Sequence, residues 1–259
     1  MNRAFQNGYL EIDFPVERFG SVPHLLAQSA RVFLRNFRFV AAATLAVFLP
    51  AKLALQFVCY LFDVPTGGLL MYLLLDASDL VLGSLVAPAV IYGLMRRFHS
   101  GALPPLAESL RWGRRQWGRT LWNRFKVEIT VTLWGALLIV PGLVKMVQLA
   151  FTDPIVAIEG DREFAVLERS RDITKGHRWR IFFVVLPVML AELAGSYLVL
   201  GAFHGPADSR FLIGLVDSLL SVGGQWATTV TLLMYLGLTD WSPQPARPAA
   251  SRQPGRNRR

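Results

Sequence analysis

The sequence predicts an all-α fold: a polytopic integral membrane helix bundle of five to six spans, with a Pro-Gly-broken helical hairpin and amphipathic cytoplasmic helices. Three observations predict it. Apolar residues make up 53% of the 259-residue chain and the mean hydropathy is +0.39, too high for an ordinary soluble domain. They gather in runs long enough to cross a hydrocarbon core of about 30 Å. All but three of the 27 lysines and arginines (Lys52, Lys145 and Arg210) lie in four segments between those runs. Cytoplasmic loops of multi-pass proteins are enriched in this way, so all four segments are expected on one side.

Residues 1–21 are polar and lack the compact cleavage pattern of a signal peptide. From 22 to 38, Leu25, Leu26, Ala30, Val32, Phe33 and Phe37 mix with Arg31, Arg35 and Arg38, which predicts an amphipathic helix lying on the cytoplasmic headgroups. The first span covers 39–62 and serves as the insertion signal; a turn with Pro65, Gly67 and Gly68 follows. The second span, 69–95, stops at Arg96 and Arg97. The basic loop 96–126 then interleaves Arg111, Arg114, Arg115, Arg119, Arg124 and Lys126 with Trp112, Trp117 and Trp122. Tryptophan beside arginine suits the headgroup level, so Arg96, Arg97, Arg114, Arg115 and Arg119 are candidate contacts to anionic lipid.

The next apolar stretch, 127–158, is interrupted by Pro141 and Gly142. One crossing would separate the basic segments onto two sides, whereas a hairpin turning at Pro141 and Gly142 keeps them together. Its arms of 14 and 16 residues reach only about 21–24 Å at 1.5 Å per residue. The hairpin therefore either recruits flanking residues such as 120–126 or re-enters without crossing, buried in protein. After it come a charged segment, 159–178, with a helix near 162–174, and a span over 180–200. An outer loop, 201–209, holds His204 and Asp208; the last span is 211–238, and the Pro- and Arg-rich tail 242–259 is expected to be disordered. Residues 22–241 thus form one membrane domain, with both termini cytoplasmic.

A net charge of +9 raises the question of nucleic acid, but basic segments interleaved with apolar runs point to lipid headgroups instead, and no nucleic-acid partner is expected. The single cysteine, Cys59, allows no internal disulfide, and His24, His99, His177 and His204 have no metal-ligand spacing. Phosphate-binding loops, dinucleotide fingerprints and zinc-protease helices are missing from the sequence. No catalytic residue, metal or cofactor is predicted. Gly83 and Ala87, four apart, offer a small-residue packing face.

The most patterned region reads Val140-Pro-Gly-Leu-Val, then Ala150-Phe-Thr-Asp-Pro-Ile-Val-Ala-Ile-Glu-Gly, then Ala165-Val-Leu-Glu-Arg-Ser-Arg-Asp-Ile-Thr-Lys-Gly. It resembles the membrane domain of bacterial glycerophosphoryl diester phosphodiesterases, a largely uncharacterised module, with Pro141, Gly142, Pro154, Glu159, Ala165, Ser170 and Gly176 at the matching positions. The resemblance implies the membrane module over about 22–238 and no activity, because in those proteins hydrolysis belongs to a separate soluble domain. Physically, Pro141 and Gly142 suit a turn, Gly176 a left-handed helix cap, Ser170 a cap or a bond to a neighbouring loop, and Glu159 an ion pair with Arg169 or Arg171.

The predicted topology puts several ionisable residues inside the bilayer. Lys52, Asp79 and Glu192 fall about 14–15 Å from the outer ends of their spans, Asp76 and Asp217 about 9–10 Å, and Asp153 midway down the return arm. Charges at such depth are costly and face the bundle interior or water. Either Lys52 pairs with Asp79 while the other acids are protonated or solvated from outside, or the surplus of acids lines a cavity for a cation, a proton path or an amine-bearing headgroup. Glu128 is expected to meet Arg124 or Lys126. The functional expectation is a non-enzymatic inner-membrane protein that binds lipid or a membrane partner, which includes a second copy of itself; the alternative is a small secondary transporter or permease subunit that uses the intramembrane acids.

Overall fold

The computed structural model describes residues 21–65, 68–159, 165–202 and 210–239, and these are all-α. The polar segment before Ser21, the loop residues His204 and Asp208, and the tail 242–259 lie outside the described residues.

Helix α1 (Val22–Arg35) is amphipathic, as expected. Its apolar stripe does not face headgroups: Val22, Leu25, Leu26, Val32 and Phe33 pack on the protein core. The fully buried Ser29 accepts a hydrogen bond from Trp226 Nε1 at 3.1 Å. Protein therefore covers the stripe that the sequence assigns to lipid, and Arg31 and Arg35 are left on the exposed face. Asn36, whose Nδ2 donates to Val32 O at 2.7 Å, separates α1 from α2 (Phe37–Leu61). Helix α3 (Leu69–Ser100) returns, and from Val86 to Met95 it is surrounded by protein.

Helix α4 (Leu106–Leu137) is one continuous helix, joining the predicted basic loop to the first arm of the predicted hairpin. Its buried stripe is Ser109, Gly113, Gln116, Thr120 and Asn123, small or polar residues at helical spacing that let α4 lie close along α3. Trp112 stacks on Tyr92 at 5.1 Å and Trp117 Nε1 donates to Val81 O at 3.0 Å, so both indoles are held on α3. Arg111, Arg114, Arg115 and Arg119 are exposed on the opposite face.

The hairpin exists, but it turns at Leu138, whose φ/ψ of −156°/131° is extended, and not at Pro141 and Gly142. Pro141 lies in the first turn of α5 (Ile139–Gln148), where a missing N–H breaks no helical bond. Gly142 serves close approach: a Cβ there would lie 2.6 Å from Gly135 Cα on α4. The return arm breaks again at Leu149, Ala150 and Phe151 before α6 (Thr152–Ile158). Then follow α7 (Ala165–Thr174), α8 (Arg178–Ala202) and α9 (Arg210–Leu238), the last packed along both α2 and α8.

Among the described residues, four helical segments are long and apolar enough to cross a membrane: Phe37–Leu61, Leu69–Ser100, Ile139–Ile158 and Phe211–Leu238. Large exposed apolar side chains gather at one end of the bundle, including Phe62 just after α2, Leu69 of α3, Leu133 and Leu137 of α4, Ile139 of α5 and Phe211 of α9. The other end carries the exposed arginines of α1 and α4.

Gly142→Val should lower the melting temperature of the detergent-solubilised protein, at a cost of about 1–3 kcal/mol for overpacking. Gly118→Ala is the control: nothing lies within 4 Å of the added Cβ, so greater helix propensity should leave stability equal or higher by about 0.5–1 kcal/mol. Equal melting temperatures for the two variants would contradict the Gly142 contact.

Candidate functional site

Five of the six predicted intramembrane charges converge on one place. Lys52 of α2 is wholly buried and forms ion pairs with Asp79 of α3 (2.7 Å) and Asp217 of α9 (2.5 Å). The expected Lys52–Asp79 pair is therefore present, with a second aspartate added. Asp79 and Asp217 line a cavity of about 510 Å³, together with Asp153 of α6 and Glu192 of α8. Asp76, one turn before Asp79, is not in the lining; its carboxylate is a like-charge neighbour of both Asp79 and Glu128 of α4.

Arg124 completes the charged lining. Its Nε bonds both carboxylate oxygens of Asp153 at 3.1 Å and its Nη2 bonds Oδ2 at 2.5 Å, while the expected partner Glu128 is a weaker electrostatic neighbour of the same guanidinium. Gly83 makes room for this side chain: a Cβ there would sit 2.5 Å from Nη1. Sequence reasoning missed Arg124 because it grouped the residue with a basic segment at the headgroup level. Had α4 been read as one helix, Arg124 would have fallen one turn beyond Thr120, beside the buried stripe and away from Arg115 and Arg119. Ser221, Gln225, Thr228 and Thr231 of α9 add polar groups to the lining, also unforeseen.

The walls are α3, α4 and α6 on one side and α8 and α9 on the other, with Phe48 of α2 behind. Ala191, Glu192 and Leu220 are lining residues that are also exposed, which locates the mouth beside α8 and α9. Exposed Leu190, Leu193 and Leu219 flank it. One cation, Arg124, and four carboxylates thus line a space the size of a small-molecule site, with the Lys52 ammonium behind two of the carboxylates.

The patterned motif residues brace this wall. The break at 149–151 frees backbone groups, and Ser170 of α7 answers two of them. Its Oγ donates to Gln148 O at 2.8 Å and accepts from Phe151 N–H at 3.3 Å, two residues before Asp153. At the far end of α6, Glu159 accepts from Tyr235 Oη at 2.6 Å and from Arg169 Nε at 3.4 Å, as the sequence suggested for Arg169. Pro154 is buried in the first turn of α6, and Ala165 begins α7. Gly176 closes the segment in the left-handed region, φ 82°, the predicted cap. On the exposed side of α7, Lys175 donates to Asp172 at 2.7 Å, and this bond together with the ammonium charge holds the Asp172 carboxyl below its usual range.

Residues 66–239, about two thirds of the chain, match a family described as a domain of unknown function, DUF7847. The chain belongs to this family. The DUF7847 region contains Asp79, Arg124, Asp153, Glu192 and Asp217, while Lys52, which pairs with two of them, lies outside it. The match carries the phosphodiesterase likeness no further. No curated protein and no solved structure matches the chain.

Arg124→Met leaves the Asp153 carboxylate without its cation and should cost up to about 3 kcal/mol, whereas Arg124→Met with Asp153→Leu should recover most of the loss in thermal unfolding. A double variant as unstable as the single would show that the pair is not what holds α4 to α6. Gly176→Ala should cost about 1–2 kcal/mol from the positive φ alone. Ser170→Ala should show its effect as faster proteolysis or amide exchange near 148–151, and unchanged exchange there would remove Ser170 as the brace.

Proposed function

We propose that this chain is a non-enzymatic, six-span protein of a bacterial cytoplasmic membrane that binds an amphiphile, with the polar end in the charged cavity and the apolar end along α8 and α9. The spans are α2, α3, α4, α5 with α6, α8 and α9. The observation that carries this reading is the depth of the cavity. Counted along each helix from its end nearest the exposed apolar belt, Lys52, Asp79, Arg124, Asp153, Glu192 and Asp217 lie about 10–21 Å down, mid-depth in a core of about 30 Å. On the same count Arg119 is about 27 Å down, Arg114, Arg115, Arg38 and Arg180 about 33–35 Å, and Arg96 and Arg97 about 40–42 Å. These arginines then meet the cytoplasmic headgroups, and α4 crosses fully by using residues 120–126.

Other cations inside the band have partners that make this depth tolerable. Lys126 Nζ sits 5.9 Å from the Trp122 ring centroid and Lys145 Nζ 5.4 Å from that of Trp134. A mouth at mid-depth, flanked by leucines, admits a ligand from the lipid phase. Native mass spectrometry of the detergent-purified protein should reveal a retained lipid that Asp217→Asn or Arg124→Met releases; a protein free of lipid before and after adding extracts of its host membrane would overturn the reading.

A secondary transporter is the second reading, favoured by the break between α5 and α6 beside the cavity and by a lysine shared between aspartates of two helices. Solute flux in proteoliposomes that disappears in Asp79→Asn would favour it over simple binding.

A further inference from the structure

The carboxylates of Asp79 and Asp217 already hold an ammonium group, that of Lys52. Its Nζ lies 2.7 Å from Asp79 Oδ1, 2.5 Å from Asp217 Oδ2 and 5.9 Å from the centroid of the Phe48 ring. All three holding groups belong to the cavity lining, whereas Lys52 does not. It enters from behind, along α2, with no exposed surface. The seat is therefore filled from the protein side and borders open space on the other.

We propose that Asp79, Asp217 and the Phe48 ring form a primary-ammonium seat that Lys52 occupies when the cavity is unliganded, and that an amine entering the cavity displaces it. This deepens the ligand-binding reading above and rests on it. The chemistry selects an ammonium with N–H donors. Two carboxylate oxygens at hydrogen-bonding distance ask for two donors, and the ring face favours a diffuse organic cation. A quaternary ammonium offers no N–H, and a bare metal ion would find too few oxygens.

The displaced lysine needs somewhere to go, and Gln56 supplies it. Gln56 lies one helical turn from Lys52 on the same face of α2, is wholly buried, and has no hydrogen-bond partner among the described residues at either amide atom. Such an amide is uncommon in a folded core. Its Oε1 is an acceptor for the Lys52 ammonium once the seat is taken, so Lys52 has two settings: on the aspartates, or on Gln56. Within the cavity Arg124 is engaged by Asp153 and does not compete for the seat.

The test uses the full chain in detergent, titrated with butylammonium chloride and with choline chloride at equal ionic strength, read by thermal shift. Lys52→Met removes the tethered competitor and should bind butylammonium about tenfold more tightly than the native protein, with no response to choline. Asp217→Asn should lose the response. Gln56→Leu keeps Lys52 and removes two idle polar atoms, so it should fold normally and bind butylammonium several-fold more weakly; this variant decides the matter if Lys52→Met does not fold. Equal responses to both salts, or native affinity in Gln56→Leu together with no gain in a folded Lys52→Met, would overturn the seat. The source of the amine is separated by native mass spectrometry from nanodiscs of phosphatidylethanolamine or phosphatidylglycerol. Retention of phosphatidylethanolamine that depends on Asp217 supports a lipid headgroup, and a response to butylammonium alone supports a free amine. A lipid retained independently of Asp217, with no amine response, overturns the seat but leaves the amphiphile-binding reading standing. No retained lipid and no amine response removes both.

Discussion

The arrangement of the whole bundle depends on the need to compensate charge within an apolar interior. Lys52 cannot be solvated where it lies, so the helices that carry its partners must come to it. The Lys52 cluster joins α2, α3 and α9, and the Arg124–Asp153 pair joins α4 to α6. These two contacts link the N-terminal helices, the broken hairpin and the last span, and they set the width of the space left between them. The cavity is the space left between helices joined by these two sets of ion pairs. Apolar packing supplies most of the buried surface, but it is less particular about which helix meets which.

The second organising feature is the close approach of α4 to α3. A stripe of Ser, Gly, Gln, Thr and Asn with no bulky apolar residue lets two long helices lie against each other, as small residues do in membrane bundles. That approach brings Arg124 beside Gly83. Helix α4 thus has three different faces: a polar stripe for α3, arginines outward at one end, and leucine and tryptophan outward at the other.

Much of the fold was legible because its signals are periodic and local. Span positions follow from hydropathy, Gly176 from its place after a charged helix, and the Lys52–Asp79 pair from the depth at which each residue falls. What escaped was tertiary. Asp217 joins Lys52 because α9 packs along α2, which no local pattern states. Arg124 was hidden because charge density was used to cut the chain at 126, through the middle of a helix. The turn at Leu138 was placed three residues late because Pro141 looks like a breaker, although proline is harmless in a first helical turn. The apolar stripe of α1 was legible, but its partner was not: lipid and protein reward the same pattern.

The sequence separation of these ion pairs bears on how the protein is made. Lys52 and Asp217 stand 165 residues apart, whereas Arg124 and Asp153 are separated by only 29. On the membrane reading proposed above, Lys52 enters the bilayer during synthesis long before its C-terminal partner exists. Asp79, on the very next helix, is the counter-charge available at that moment, so the first helical pair can insert already neutralised. The second pair does the same with Arg124 and Asp153. Asp217 then arrives at a bridge that is already closed, which leaves the last helix to complete the assembly without having had to rescue it.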